Sequence, residues 1–187
     1  MEPKKTAIQN TLKQNTANMI FYEDSFMKTA FLTKEIPNWE IPIFYFDFDL
    51  QYTGFVSAGI TSPLKNLTLL HPEINSLRED LKSVIEKISK VRSLVIIDSL
   101  NGFFNLLEGK NDLGRLVNSF LILLVSVAKH TKSTVIVGIL SKLNADNKRI
   151  LYNTGRRVIE NEHFTKIQLT RSENNILTKT LNSDNTD

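Results

Sequence analysis

The sequence predicts an α/β domain, a three-layer sandwich with a mostly parallel central sheet, helices on both faces and an antiparallel edge. Three observations lead there. Residues 94–97 (Leu-Val-Ile-Ile) and 134–140 (Thr-Val-Ile-Val-Gly-Ile-Leu) are continuous apolar runs, the composition of strands buried on both faces. Such runs alternate with stretches of helical periodicity, as parallel strands joined by crossover helices require. The C-terminal segments alternate residue by residue and read as a hairpin closing one side of the sheet.

The elements follow in order. Residues 1–18 are rich in Lys, Asn, Gln and Thr and predict a polar arm or short helix. A short strand is expected at 19–22 and a helix at 26–34, stopped by Pro37 and Asn38. Residues 43–50 read as a strand, with Phe44, Phe46, Phe48 and Leu50 on one face and Tyr45, Asp47 and Asp49 on the other. On that reading the two aspartates are close enough that one is protonated, paired with a lysine, or solvated at the strand end. A strand at 67–70 ends at His71-Pro72. Apolar residues Ile74, Leu77, Leu81, Val84, Ile85, Ile88 and Val91 then recur every three or four positions, an amphipathic helix. After the strand at 94–97, residues 113–129 form a long helix, apolar around most of its circumference and expected to lie deep. Beyond the strand at 134–140, residues 157–159 and 165–170 alternate as strands, and 176–181 pairs back as a hairpin. Residues 182–187 form a polar, disordered tail. One domain, residues 19–181, is expected.

Composition narrows the function classes. The 187 residues hold 41% hydrophobic and 23% charged residues, ordinary for a globular domain, which at this size buries roughly 70% of its unfolded surface. The first residues lack the apolar core of a secretory leader, and the apolar stretch 113–128 is interrupted by Arg115, Asn118 and Ser126, so no membrane span is expected. With no cysteine there is no disulfide framework, which agrees with a cytoplasmic protein. The net charge of +3 permits an acidic partner without demanding one. His71, His130 and His163 lack metal-ligand spacing, and no Gly-x-Ser-x-Gly element is present.

The chemistry concentrates at two places. The strand at 94–97 ends in Asp98-Ser99, and in open α/β sheets ligands bind at that carboxyl edge. An aspartate so placed holds the magnesium of a bound nucleotide in nucleotide-hydrolysing proteins; the alternative is an Asx-type bond capping residues 99–102. The second place is residues 22–29, Tyr-Glu-Asp-Ser-Phe-Met-Lys-Thr. A phosphate loop needs Gly-x-x-x-x-Gly-Lys-[Ser/Thr], glycines giving a backbone cradle, lysine reaching phosphate and the hydroxyl ligating magnesium. Lys28 and Thr29 match its last two positions, whereas Tyr22 and Met27 replace both glycines, and Glu23 and Asp24 put carboxylates where a polyanion would lie. The stretch suits an ordinary turn and helix start with Asp24 or Ser25 as N-cap.

The degenerate loop at 22–29, Tyr45-Phe46-Asp47-Phe48-Asp49, Leu94 to Ser99 and the strand 134–140 together resemble the RecA/RadA superfamily of ATPase cores, in its recombinase-paralogue or KaiC-like branches. The resemblance implies that Asp49 stands at the water-activating position, Asp98 at the magnesium site, and Ser141 where the outer phosphate is sensed, with Lys28 and Thr29 toward nucleotide. It implies that the loops after the last parallel strand face nucleic acid, where Lys142, Lys148, Arg149, Arg156, Arg157, Lys166 and Arg171 gather; a mixed solvated surface explains them as well, since Asp146, Glu160 and Glu162 are interleaved. The function implied is that of an accessory or regulatory subunit in DNA recombination or repair with little or no ATPase. The alternatives are an Elongator-like non-catalytic ring subunit binding tRNA or protein, and a slow Mg-ATPase. No cofactor is expected, with ATP and Mg entering only if the loop functions. The expected partners are a RecA-like or other protein, a further copy of the chain, and DNA or RNA, with no membrane.

Overall fold

In a computed structural model the described residues are 4–109, 111–143, 149–151, 164–172 and 175–181. Their elements run α1 (Lys4–Gln14), β1 (Ala17–Tyr22), α2 (Ser25–Glu35), a 3-10 turn (Ile36–Asn38), β2 (Ile43–Asp47), α3 (Gln51–Ser57), β3 (Leu67–Leu70), α4 (Leu77–Ile88), β4 (Leu94–Asp98), α5 (Leu100–Leu106), α6 (Leu113–Thr131), β5 (Thr134–Leu143), β6 (Arg149–Leu151), β7 (Thr165–Ser172) and β8 (Asn175–Leu181). The strands stand in the order β3-β2-β4-β5-β1-β7-β8, with β6 paired to β5 off this path. Pairing is parallel from β3 through to β7, and antiparallel in β7–β8 and β5–β6. The fold is therefore α/β, with a mostly parallel sheet and an antiparallel edge. The expected strand at 157–159 and the tail at 182–187 lie outside the described residues.

Period-two alternation divides the sheet into two cores. Phe44 and Phe46, Val95 and Ile97, and Val135, Val137 and Ile139 face α4, α5 and α6. Ile43 and Tyr45, Leu94 and Ile96, Ile20 and Tyr22, and Ile136 face α1, α2, α3 and the 3-10 turn. The N-terminal stretch is thus a helix, and Leu12 of α1 is buried in the second core. Asn18 ties the helix to the sheet, its side-chain amide donating to Leu12 O and Asn15 O, both at 3.2 Å.

The structure differs from the sequence reading at three points. First, β2 stops at Asp47, because Leu50 takes a left-handed conformation (φ 56°) and turns the chain into α3, a helix the periodicity did not reveal. Asp47 and Asp49 consequently do not share a strand face. Second, α5 follows Asp98 directly, and its cap is Ser99, whose Oγ accepts from Gly102 N at 3.1 Å, rather than Asp98. Third, α6 is buried on one side only. Val117, Leu121, Leu124 and Ala128 pack inward, while Leu116, Ile122 and Leu123 are exposed. By length and composition alone α6 would suffice to cross a membrane.

Leu124 is fully buried and Ile122 is 61% exposed, so equal chemistry at the two positions should give unequal losses. Leu124→Ala should cost about 2–5 kcal/mol in urea unfolding, and Ile122→Ala no more than about 0.5 kcal/mol. Equal losses would contradict the assignment of the α6 faces.

Candidate functional site

The carboxyl edge of the parallel strands gathers the predicted residues through short, specific turns. β1 passes into α2 through Glu23 and Asp24 alone. Asp24 is the N-cap: its Oδ1 accepts from Phe26 N at 2.8 Å and Met27 N at 3.4 Å. Those N–H groups are the free donors that a phosphate would otherwise meet at a helix N-terminus. The helix begins at Ser25, so Met27 and Lys28 lie within it rather than on a loop.

That early start sends Lys28 inward. Its side chain and that of Asp98 are both 0% exposed, and Nζ donates to Asp98 Oδ1 at 2.5 Å and Oδ2 at 2.6 Å. The Tyr45 hydroxyl donates to Asp98 Oδ2, and the Tyr22 ring centroid lies 5.6 Å from the ammonium, a cation–π contact. Asp98 and Tyr22 lie on strands separated by β5, and Gly138 of β5 leaves the space between them. A Cβ there would be in van der Waals contact with Asp98 Oδ1 at 3.4 Å and Tyr22 Cε1 at 3.5 Å.

Burial raises the Asp98 pKa, and Lys28 and the Tyr45 hydrogen bond oppose it. Burial also pushes the phenols of Tyr22 and Tyr45 well above 10.0, and the charge of Asp98 adds to both shifts. The centre is thus a lysine and an aspartate locked between phenols that stay neutral.

Asp47 and Asp49 take separate roles. Leu50, the N-cap of α3, makes no side-chain cap bond. Asp47 supplies it instead: Oδ2 accepts from Thr53 N at 2.8 Å and from Thr53 Oγ1 at 2.6 Å. His71 Nε2 lies 2.7 Å from the same hydroxyl. Because the Thr53 hydroxyl donates to the Asp47 carboxylate, its oxygen accepts from His71 Nε2. Asp47 Oδ1 and Ser141 Oγ are buried without a hydrogen-bond partner among the described residues. Asp49 Oδ2 accepts from Ser99 Oγ at 2.6 Å. Gly102 packs beneath it, where a Cβ would overlap Asp49 Oδ1 and stand 2.7 Å from Phe48 Cβ.

The sequence-named residues therefore meet only in part. Lys28 and Asp98 are in contact, and the Thr29 hydroxyl lies 3.0 Å from both Ser25 O and Gln51 Oε1. Asp49 lies in the turn between β2 and α3 and bonds Ser99, the N-cap of α5. Lys142 is exposed on β5, and Arg149 opens β6. Lys148, Arg156 and Arg157 lie outside the described residues, and among those described no cluster of three metal-ligating side chains occurs. The sequence reading missed Tyr45, Tyr22, Thr53 and His71. Tyr45 and Tyr22 were legible by strand alternation, two residues from Asp47 and from Ile20 on their strand faces, whereas Thr53 and His71 lie beyond their strands and are brought in by turns.

No protein-family model matches this chain, and no curated protein does. Among solved structures it is similar to the monomer form of the pCW3 conjugation coupling protein TcpA with ATPgS, at 12% identity and a TM-score of 0.41. The similarity covers 71% of this chain and 45% of that one, so the chain spans less than half the length of its structural neighbour.

Two outcomes test the buried centre. Lys28→Ala, which leaves a buried carboxylate without its cation, should cost about 3–5 kcal/mol, whereas the double variant Lys28→Met with Asp98→Leu should recover most of that. Equal losses in both, read by urea unfolding, would mean that packing and not charge matters at the pair. The second outcome concerns alkali. The folded phenols hold their protons above the unfolded value of 10.0, so the stability they contribute is complete below that pH and is lost as pH rises toward the folded values. Tyr45→Phe should therefore flatten the fall in unfolding free energy above pH 10.0; an unchanged slope would assign that fall to other groups.

Proposed function

We propose that this chain is a RecA-like subunit that does not turn over nucleotide, an accessory component of a DNA recombination or repair assembly that acts through its surfaces. The observation that carries the reading is the closed contact between Lys28 and Asp98. In phosphoryl transfer a lysine cradles the outer phosphates and an aspartate holds magnesium. Here each is occupied by the other. A nucleotide would have to break this buried pair and its two short hydrogen bonds before phosphate and magnesium could take their places. It would also have to displace the Asp24 carboxylate from the N–H groups of α2.

Asp49 supports the same reading. A residue that activates water needs its carboxylate free toward the reacting phosphate, and Asp49 instead accepts from Ser99 above Gly102. We assign the nucleic-acid contact to the basic residues from the end of β5 onward, of which Lys142, on β5, is exposed.

Calorimetric titration with Mg-ATP at millimolar concentration should show no saturable heat; saturable binding would restore the ATPase reading. Retention of single-stranded DNA should fall steeply as salt rises, because phosphate neutralisation releases counterions. A flat salt response would remove direct DNA contact, and a preference for tRNA over DNA would favour an Elongator-like ring subunit instead.

A further inference from the structure

A cleft of about 300 Å³ opens between α2 and the β7–β8 hairpin, and neither Lys28 nor Asp98 lines it. Met27 and Ala30 of α2 and Ile176 of β8 form an apolar floor, Phe26 stands beside them 68% exposed, and polar atoms make up the larger share of the lining. Among the described residues two cations line it, Lys34 from the last turn of α2 and Arg171 from β7, and both are exposed. Asp24 and Asn175 also line it, and Asp24 Oδ1 is engaged in capping α2 through Phe26 N and Met27 N. Two cations against one carboxylate leave the described lining with one net positive charge.

The apolar surface continues beyond the cleft. The Phe26 ring lies 6.4 Å from that of Phe55 on α3, and Ile60, whose N–H donates to Phe55 O at 2.9 Å, is 66% exposed. Phe55 and Ile60 are not part of the cleft lining, so the exposed strip outruns what a ligand filling about 300 Å³ would cover.

We propose that the cleft and its strip dock a short segment of a partner protein that carries an apolar anchor beside a carboxylate. The anchor enters over Met27, Ala30 and Ile176, and the carboxylate meets Lys34 and Arg171, whose guanidinium offers paired donors to both oxygens. A mixed surface with an exposed aromatic and an arginine carries two of the residue types enriched at protein-binding hot spots. Charge complementarity selects the acidic segment. Single-stranded nucleic acid is the competing occupant, since Phe26 could stack a base beside the cations, but the aliphatic floor accepts a side chain better than a base. The inference does not depend on the nucleotide reading, which the Mg-ATP titration tests separately.

The test is titration of the isotope-labelled full chain by NMR, without nucleotide. The probes are a blocked peptide of leucine, phenylalanine and glutamate residues, its counterpart with lysine for glutamate, and a short oligothymidine. The acidic peptide alone should give saturable shifts at the amides of Ala30, Lys34, Arg171 and Ile176. Arg171→Glu and Lys34→Glu, both at exposed positions, should each weaken binding by about tenfold or more while the rest of the spectrum stays in place. An equal response to the lysine peptide, no saturable response, or stronger saturable shifts with oligothymidine would overturn the proposal.

Discussion

Lys28 reaches Asp98 from α2 across the width of β5, and the local geometry of the sheet edge is arranged around that contact. Taking an ammonium and a carboxylate out of water is costly, and their attraction repays it only with good geometry and further hydrogen bonds. The structure supplies both: two short Nζ–O contacts, the Tyr45 hydroxyl on the second oxygen, and the Tyr22 ring beside the ammonium. Gly138 clears the space, and the early start of α2 at Ser25 gives the lysine its inward direction. The pair and its surroundings therefore tie four strands and one helix together, and removal of Lys28 or Asp98 leaves its partner as an unpaired buried charge.

Around this centre the same elementary device recurs, a short polar side chain taking over the free donors of a chain that has just left the sheet. Asp24 does so for α2, Asp47 for α3 and Ser99 for α5. Each sits at the carboxyl end of a parallel strand or just beyond it, where ligands of α/β sheets bind. The helix-start donors of the edge are thereby engaged from within, while Asp47 Oδ1 and Ser141 Oγ stay without a partner among the described residues. Asn101 extends the pattern to β5, its amide pairing with both Leu140 O at 3.1 Å and Leu140 N at 2.9 Å as a neighbouring strand would.

The layered fold was legible because its signal is local and repetitive. Leu94 to Ile97 and the run from Thr134 to Leu140 have no polar face, so they read as central strands, and the spacing from Leu77 to Ile88 reads as a covering helix. What escaped the sequence were short helices set by single residues: α3 depends on the left-handed turn at Leu50 and on a cap from Asp47, and neither leaves a periodic trace. The exposed side of α6 escaped for the opposite reason, since Leu116, Ile122 and Leu123 carry an apolar signal on a surface position. At the site, the absence of glycine at 22 and 27 pointed correctly to a backbone different from a phosphate cradle. That the lysine would close on the aspartate, across seventy positions of sequence, is a long-range pairing with no local signature.

The register of α2 bears on what evolution or an engineer could do with this chain. A loop that wraps phosphate needs non-helical backbone all the way from the strand to the lysine, and here the residues from Ser25 onward are already wound into helix. Glycines at 22 and 27 would remove two side chains without changing that winding. A cradle at this edge would need Ser25 to Met27 unwound from the helix and Lys28 turned out of its pocket together. Single substitutions do neither, so the sheet edge is closed to phosphate by backbone conformation as much as by side chains.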